Sequence, residues 1–322
     1  MALLVLLVAL ASSGVARRWA VSVAYENGWF HLLTERAAAD ADGKPLTVLV
    51  GTSQSKRGLD PRTVEAVLDD GSFVTNVGID GTPVSGYPYF VRRLLARQKV
   101  AAVVVELSWL SHDQFQGMRF VRPFIEAPAV RQAIERNSVG YRYLEPTRHG
   151  DWVPLTDVGR QVRNAFDAYK RSPGLRESVA ERAPLRGWTP VAVRHSRERV
   201  VKEREASLKQ QPKDFVDDFI PHGMIAAIAE LAAVCREADV PLVCFVLPVN
   251  RELAPDVPVL RHFEARMNND VLPALKELGV PVVMPPDHLF QPEFYTDHVH
   301  LHADAVESVS RWLAGAIAPH LR

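Results

Sequence analysis

Five short apolar runs recur along this chain with helix-length segments between them, and no other feature restricts the fold as much. They are TVLVG from Thr47, SFVTNVG from Ser72, VAAVVVELS from Val100, VPLVCFVLP from Val240 and VPVVMP from Val280. A strand with one wet face alternates apolar and polar residues; these runs do not alternate, and VAAVVVELS is apolar almost without interruption, so both faces of the sheet must be covered. The segments between them read as helices. PRTVEAVLDD has Asp60 as N-cap and Pro61 in its first turn. Further helices are expected from about Tyr89 to Gln98, from Pro221 to about Ala238, from about Val259 to Glu277 and from about Asp304 to Ala316, whereas SQSKRGLD reads as a polar turn. The pattern predicts an α/β fold, a three-layer α/β/α sandwich with a mostly parallel, flavodoxin-like central sheet. In open sheets of this kind ligands bind beyond the carboxyl ends of the strands. The loops after Val50, Val77, Glu106 and Pro248, with the segment after Pro285, are therefore expected to share one rim.

Composition removes several classes of function. With 38 basic and 38 acidic residues the 322-residue chain has no formal net charge, so it lacks the cationic surplus that nucleic acid binding needs. At 47% hydrophobic and 24% charged residues it matches neither a disordered chain nor a multi-span membrane protein. Cys235 and Cys244 are too few for a disulfide scaffold and lack the paired spacing of a zinc site, so both read as small buried hydrophobes. The apolar opening, MALLVLLVALASSGVA before Arg17 and Arg18, reads as an export signal or N-terminal anchor within residues 1–20, with Gly14 and Ala16 as small residues suited to cleavage. It is shorter than the roughly 20 residues a membrane-spanning helix needs, and no basic residue precedes it; a buried N-terminal helix is the alternative. Export places the remaining domain, 45–322, outside the cytoplasm, in the periplasm or cell envelope. Between about 117 and 218 the strand–helix rhythm is lost, which predicts an insertion of helices and loops. Within it, RHSRERVVKERE (194–205) reads as a solvated helix face and Gly187–Pro190 as a turn with a packed Trp.

Ser53 follows the first strand in Gly51-Thr52-Ser53, where a sharp turn would hold its side chain on the rim. A serine hydroxyl attacks only when a base takes its proton. Asp297-His298-Val299-His300 lies before the last helix, and an Asp three residues ahead of a His can accept from one imidazole nitrogen and leave the other as general base. After the second strand, Asn76-Val77-Gly78-Ile79-Asp80-Gly81 offers a glycine whose N–H could approach an oxyanion, and the same residues also suit a tight turn.

The order of these blocks resembles the SGNH (GDSL-like) hydrolases. Their pattern is a strand ending in Gly-Asp-Ser, an Asn-to-Gly block after the second strand, Gly-x-Asn-Asp after the third and Asp-x-x-His before the last helix. The resemblance covers residues 46–115 and 219–318, and VLVGTSQSKRGLDP, NVGIDGTPVSGYPYFVRRLL and FYTDHVHLHADA look most like divergent SGNH-like proteins of bacterial envelopes. It implies that Ser53 is the nucleophile, His300 the base and Asp297 its orienting acid. Oxyanion donors would come from Ser53 and Gly81. It further implies a serine esterase or O-acyltransferase acting on ester groups, O-acetyl above all, of a carbohydrate or envelope polymer, without cofactor or metal. The chain departs from the pattern in two blocks. Thr52 stands for the Asp of the first, and Glu106-Leu107-Ser108-Trp109-Leu110-Ser111 replaces the third with no Asn, leaving Ser108 or Ser111 as the substitute donor.

Two other readings compete. His298, His300 and His302, with His288 and Asp297 nearby, could ligate a metal in a metallohydrolase. Loss of the Asn would equally suit an inactive SGNH-like protein that binds a glycan or acts as a scaffold.

Overall fold

A computed structural model describes residues 15–26, 28–109, 124–125, 127–137, 155–209 and 221–321. Its centre is a five-stranded parallel sheet in the order β2-β1-β3-β4-β5, the flavodoxin-like order, formed by β1 (Leu46–Val50), β2 (Phe73–Asn76), β3 (Val100–Glu106), β4 (Leu242–Phe245) and β5 (Val282–Val283). These are the five apolar runs of the sequence. Their continuous apolar character is explained by the two cores they feed. Val48, Val50, Val103, Val105 and Cys244 point into one core, while Leu49, Val104, Val243 and Phe245 point into the other. The first core is closed by α2 (Trp29–Asp40), α5 (Tyr87–Leu95) and α9 (His222–Glu237). The second is closed by α4 (Pro61–Leu68) and the last helix, α10 (Ala303–Ile317). Both cysteines are buried and unpaired, as expected of small hydrophobes, and burial pushes the Cys235 thiol up to about 12.

Local signals account for the helix ends. Asp60 caps α4 by accepting from the Arg62 N–H at 3.0 Å, with Pro61 opening the helix. The polar turn expected at SQSKRGLD is instead a helix, α3 (Ser53–Gly58), because Thr52 caps it from outside by accepting from the Gln54 N–H. The single helix expected from Val259 to Glu277 breaks once, at His262 between Pro258–Arg261 and Phe263–Arg266, and then runs on through a π turn at Met267–Val271 into Leu272–Glu277. Pro273 carries no N–H to bond the preceding turn, and the wider π turn just before it absorbs the mismatch.

At the N-terminal side, α1 (Val15–Glu26) buries Ala20, Val21 and Tyr25, packing against α7 (Leu155–Arg182). The helix thus runs past residue 20, the end of the expected signal or anchor segment; residues 1–14 lie outside the described residues. No helix among the described residues is long and apolar enough to cross a membrane. Of the expected insertion, α6 (Pro128–Asn137), α7 and α8 (Arg197–Leu208) are described. The charged 194–205 stretch contributes α8, whose Arg199 and Glu203 form an exposed i,i+4 ion pair.

Candidate active site

The chain leaves β1 through Gly51 and Thr52 and enters α3 at Ser53, at the carboxyl edge of the sheet and beside the β1–β3 crevice where the strand order reverses. The crowding at this turn is severe. A Cβ on Gly51 would collide with Ser55 Oγ and Glu106 Oε2. One on Gly78, in the loop after β2, would lie 2.7 Å from the Thr52 carbonyl and 2.8 Å from the Lys56 nitrogen. Glycine at both positions lets three strand ends close around the start of α3.

Opposite the turn lies the loop before α10. Ser53 Oγ is 2.8 Å from His300 Nε2, and His300 Nδ1 is 2.7 Å from Asp297 Oδ2. Asp297 Oδ1 accepts from the Val299 and His300 N–H groups, each at 2.8 Å. A carboxylate can only accept, so Nδ1 carries the imidazole proton and Nε2 is left to accept from the Ser53 hydroxyl. The sequence-predicted Ser53, His300 and Asp297 are thus one hydrogen-bonded chain, with Asp297 and His300 13% and 14% exposed. Burial alone would raise the Asp297 pKa, but the hydrogen bond from His300, the neighbouring imidazoles and the backbone donor hold its carboxyl well below the usual carboxylate range.

The other two histidines of the string do not converge with His300. His302 caps α10 and donates through Nε2 to the Ala192 carbonyl at 3.1 Å. His298 packs its ring edge-on to Trp109, with centroids 5.8 Å apart. Its Nδ1 is 4.0 Å from Asp297 Oδ1, too long for a hydrogen bond, and burial outweighs that attraction and lowers its pKa to about 4. Among the described residues no group of three His, Cys, Asp or Glu side chains could hold a metal ion.

The expected oxyanion donors are placed differently from one another. In the first turn of α3, the Gln54 N–H bonds Thr52 Oγ1 and the Ser55 N–H bonds Glu106, while the Ser53 N–H has no hydrogen-bond partner among the described residues. Gly81 sits in an exposed turn at φ +66°, with open space where a side chain would be. Ser108 is buried beside the turn and its hydroxyl donates to Gln54 Oε1 at 3.5 Å. Ser111 lies outside the described residues.

Asn76, Gln54 and Glu106 organise the site, a role that no motif in the sequence assigns to them. Asn76 donates to the Ser55 and Leu59 carbonyls at 2.7 and 3.0 Å, stitching α3 to the end of β2. Gln54 donates to the Val299 carbonyl at 3.3 Å, joining α3 to the base loop. Glu106 ends β3 with no solvent exposure and receives four hydrogen bonds from Thr52 and Ser55. Its signal was available, because a charged residue closing an otherwise unbroken apolar strand is rarely left without partners.

The insertion also reaches the site. Residues 186–195 run along it as a strap, bonded at one end to the serine side and at the other to the histidine side. Asn76 N–H donates to the Arg186 carbonyl at 2.9 Å, Thr189 N–H to the Lys56 carbonyl at 2.8 Å, and Trp188 Nε1 to the Arg57 carbonyl at 2.9 Å. Further along, Ala303 N–H donates to the Val191 carbonyl at 2.8 Å and His195 N–H to the Thr296 carbonyl at 2.6 Å. Trp188 is the packed tryptophan expected in the 187–190 turn.

No protein-family model matches the sequence, and comparison with curated proteins returns no match.

Proposed function

We propose that the protein is an SGNH-type serine esterase or O-acyltransferase that acts outside the cytoplasm on ester groups, O-acetyl above all, of a carbohydrate or cell-envelope polymer. The observation that carries the chemistry is the unbroken Ser53–His300–Asp297 chain. Ser53 Oγ attacks the acyl carbonyl while His300 Nε2 takes its proton; Asp297 holds the imidazole tautomer and stabilises the imidazolium that forms. The Ser53 N–H, without a partner among the described residues, is available to receive the oxyanion, with Gly81 and Ser108 as the companion donors that the resemblance suggests. His300 then returns the proton to the departing alcohol, and water or a sugar hydroxyl takes the acyl group from Ser53. Neither step calls for a cofactor. The separate partners of His298 and His302 favour this reading over a three-histidine metal site.

A fluorophosphonate probe and p-nitrophenyl acetate test the reading together. Covalent labelling at Ser53 and ester turnover, both removed by Ser53→Ala, are the expected result. A folded wild-type protein that neither labels nor turns over substrate while a control esterase does both would overturn it, leaving the scaffold reading. Zinc retained at about one equivalent, with equal loss from His298→Ala and His300→Ala, would favour the metallohydrolase.

A further inference from the structure

We infer that Glu106 is the positioning residue of the nucleophile, an inference that rests on the hydrolase reading and adds to it a part that the family's motif does not contain. Its carboxylate lies beneath the turn that carries Ser53. Oε2 accepts from the Thr52 N–H at 2.7 Å, the Ser55 N–H at 3.1 Å and the Ser55 hydroxyl at 2.6 Å, and Oε1 accepts from the Thr52 hydroxyl at 2.8 Å. Thr52 and Ser55 flank the nucleophile on both sides, so the two oxygens grip the turn before and after Ser53 without touching it. Three consequences follow from the geometry. Ser53 Oγ is held toward His300 Nε2. The helix-start N–H of Ser55 is occupied from below and that of Gln54 by Thr52, which leaves the Ser53 N–H as the donor of this turn still available to substrate. Thr52, which replaces the acidic residue of the family's first block, brings its hydroxyl and N–H to an acid supplied from β3, 54 residues away.

The role is geometric, and the substitutions separate it from mere support of the fold. In Glu106→Gln the amide oxygen can still accept from Thr52 N–H, Ser55 N–H and Ser55 Oγ, while the amide nitrogen donates to Thr52 Oγ1, which has a free lone pair when its own proton turns away. Glu106→Ala keeps none of these bonds, and Ser55→Ala removes one. Kinetics on p-nitrophenyl acetate, the rate of fluorophosphonate labelling and thermal melts are measured on the full chain. Because displacement of a reacting group by about 1 Å costs on the order of 100-fold, Glu106→Ala is expected to lose about 100-fold in kcat and in labelling rate with KM within about twofold. Glu106→Gln should recover to within about tenfold of wild type, and Ser55→Ala should lose about threefold to tenfold in kcat alone. A folded Glu106→Ala with wild-type kcat, or one altered in KM only, overturns the inference. If that variant does not fold, wild-type kcat in both Glu106→Gln and Ser55→Ala overturns it, and a kcat loss at unchanged KM in Ser55→Ala sustains it. A wild-type protein silent in both assays would defeat the hydrolase reading and this inference with it, whereas active wild type with indifferent variants defeats this inference alone.

Discussion

The two halves of the candidate site are built in opposite ways. The serine half is organised by partners far off in the chain: Glu106 from β3, Asn76 from β2, and the main chain of Gly78 pressed against Thr52 and Lys56. The histidine half is organised by its own neighbours. Thr296 donates through both its N–H and its hydroxyl to the His300 carbonyl, Asp297 accepts from the N–H groups two and three residues on, Val299 and His300, and Tyr295 and Leu301 form an isolated antiparallel bridge. Long-range construction gives a turn that cannot shift without moving three strands. Local construction gives a loop that could keep its own shape yet move as a unit, were it not tied down by the Asn250 N–H, which donates to the His298 carbonyl at 3.0 Å, and by the strap.

The largest expected effect comes from removing either end of the proton path. Ser53→Ala and His300→Ala should each lower kcat on p-nitrophenyl acetate by about 10⁴-fold or more, and Asp297→Asn by about 10³- to 10⁴-fold through the wrong imidazole tautomer. His298→Ala should stay within about fivefold of wild type, since His298 touches neither the serine nor the reacting nitrogen.

The serine half should be the less tolerant of crowding. Gly78→Ala would set a Cβ 2.7 Å from one main-chain atom and 2.8 Å from another, neither of which can swing aside. A loss of about 1–3 kcal/mol in urea unfolding and about 100-fold in kcat is expected. Near-wild-type values for both would mean that the turn is softer than its packing implies.

The histidine half should be the more sensitive to acid. His298 binds its proton near pH 4 when folded and near 6.5 when unfolded. Between those values the unfolded chain holds more protons, so stability falls as pH falls, by up to about 3 kcal/mol. Asp297 extends the loss further down, because its lowered folded pKa gives stability that is present above pH 3.8 and disappears as pH drops through the folded value. The groups acting on His298 are Asp297, His300, Arg204 and Glu203, with burial outweighing them all. Urea midpoints at pH 7 and pH 4.5 should differ less in His298→Phe than in wild type; an unchanged difference would assign the acid sensitivity elsewhere. The smallest effect is expected from Trp188→Phe, which takes one hydrogen bond from the Arg57 carbonyl, costs about 1 kcal/mol and leaves kcat within about twofold.

The same contrast explains what could be read in the sequence. Local construction writes itself in spacing, so Asp297 and His300, three apart, were visible as a pair, as were the capping Asp60 and the apolar strands that feed two cores. Long-range construction leaves no spacing to read. Glu106 and Thr52 are 54 positions apart, and only the folded sheet makes them neighbours. The helix α3 reads as a turn in the sequence for the same reason: its six residues, SQSKRG, show no helical periodicity, and what sustains it comes from Thr52, Glu106 and Asn76. The π turn before Pro273 shows the converse, a single residue without an N–H widening a helix whose apolar pattern otherwise reads as uniform.

The strap from Arg186 to His195 acts as a ruler laid between the two halves of the site. Apart from Gly187, where a Cβ would collide with the Asn76 carbonyl, its sequence is free to vary wherever only main-chain atoms make the bonds, but its residue count is not: deleting or duplicating one position would put the Thr189 and His195 anchors out of step with Lys56 and Thr296. Variation among proteins built on this plan should therefore preserve the length of this stretch more strictly than its composition.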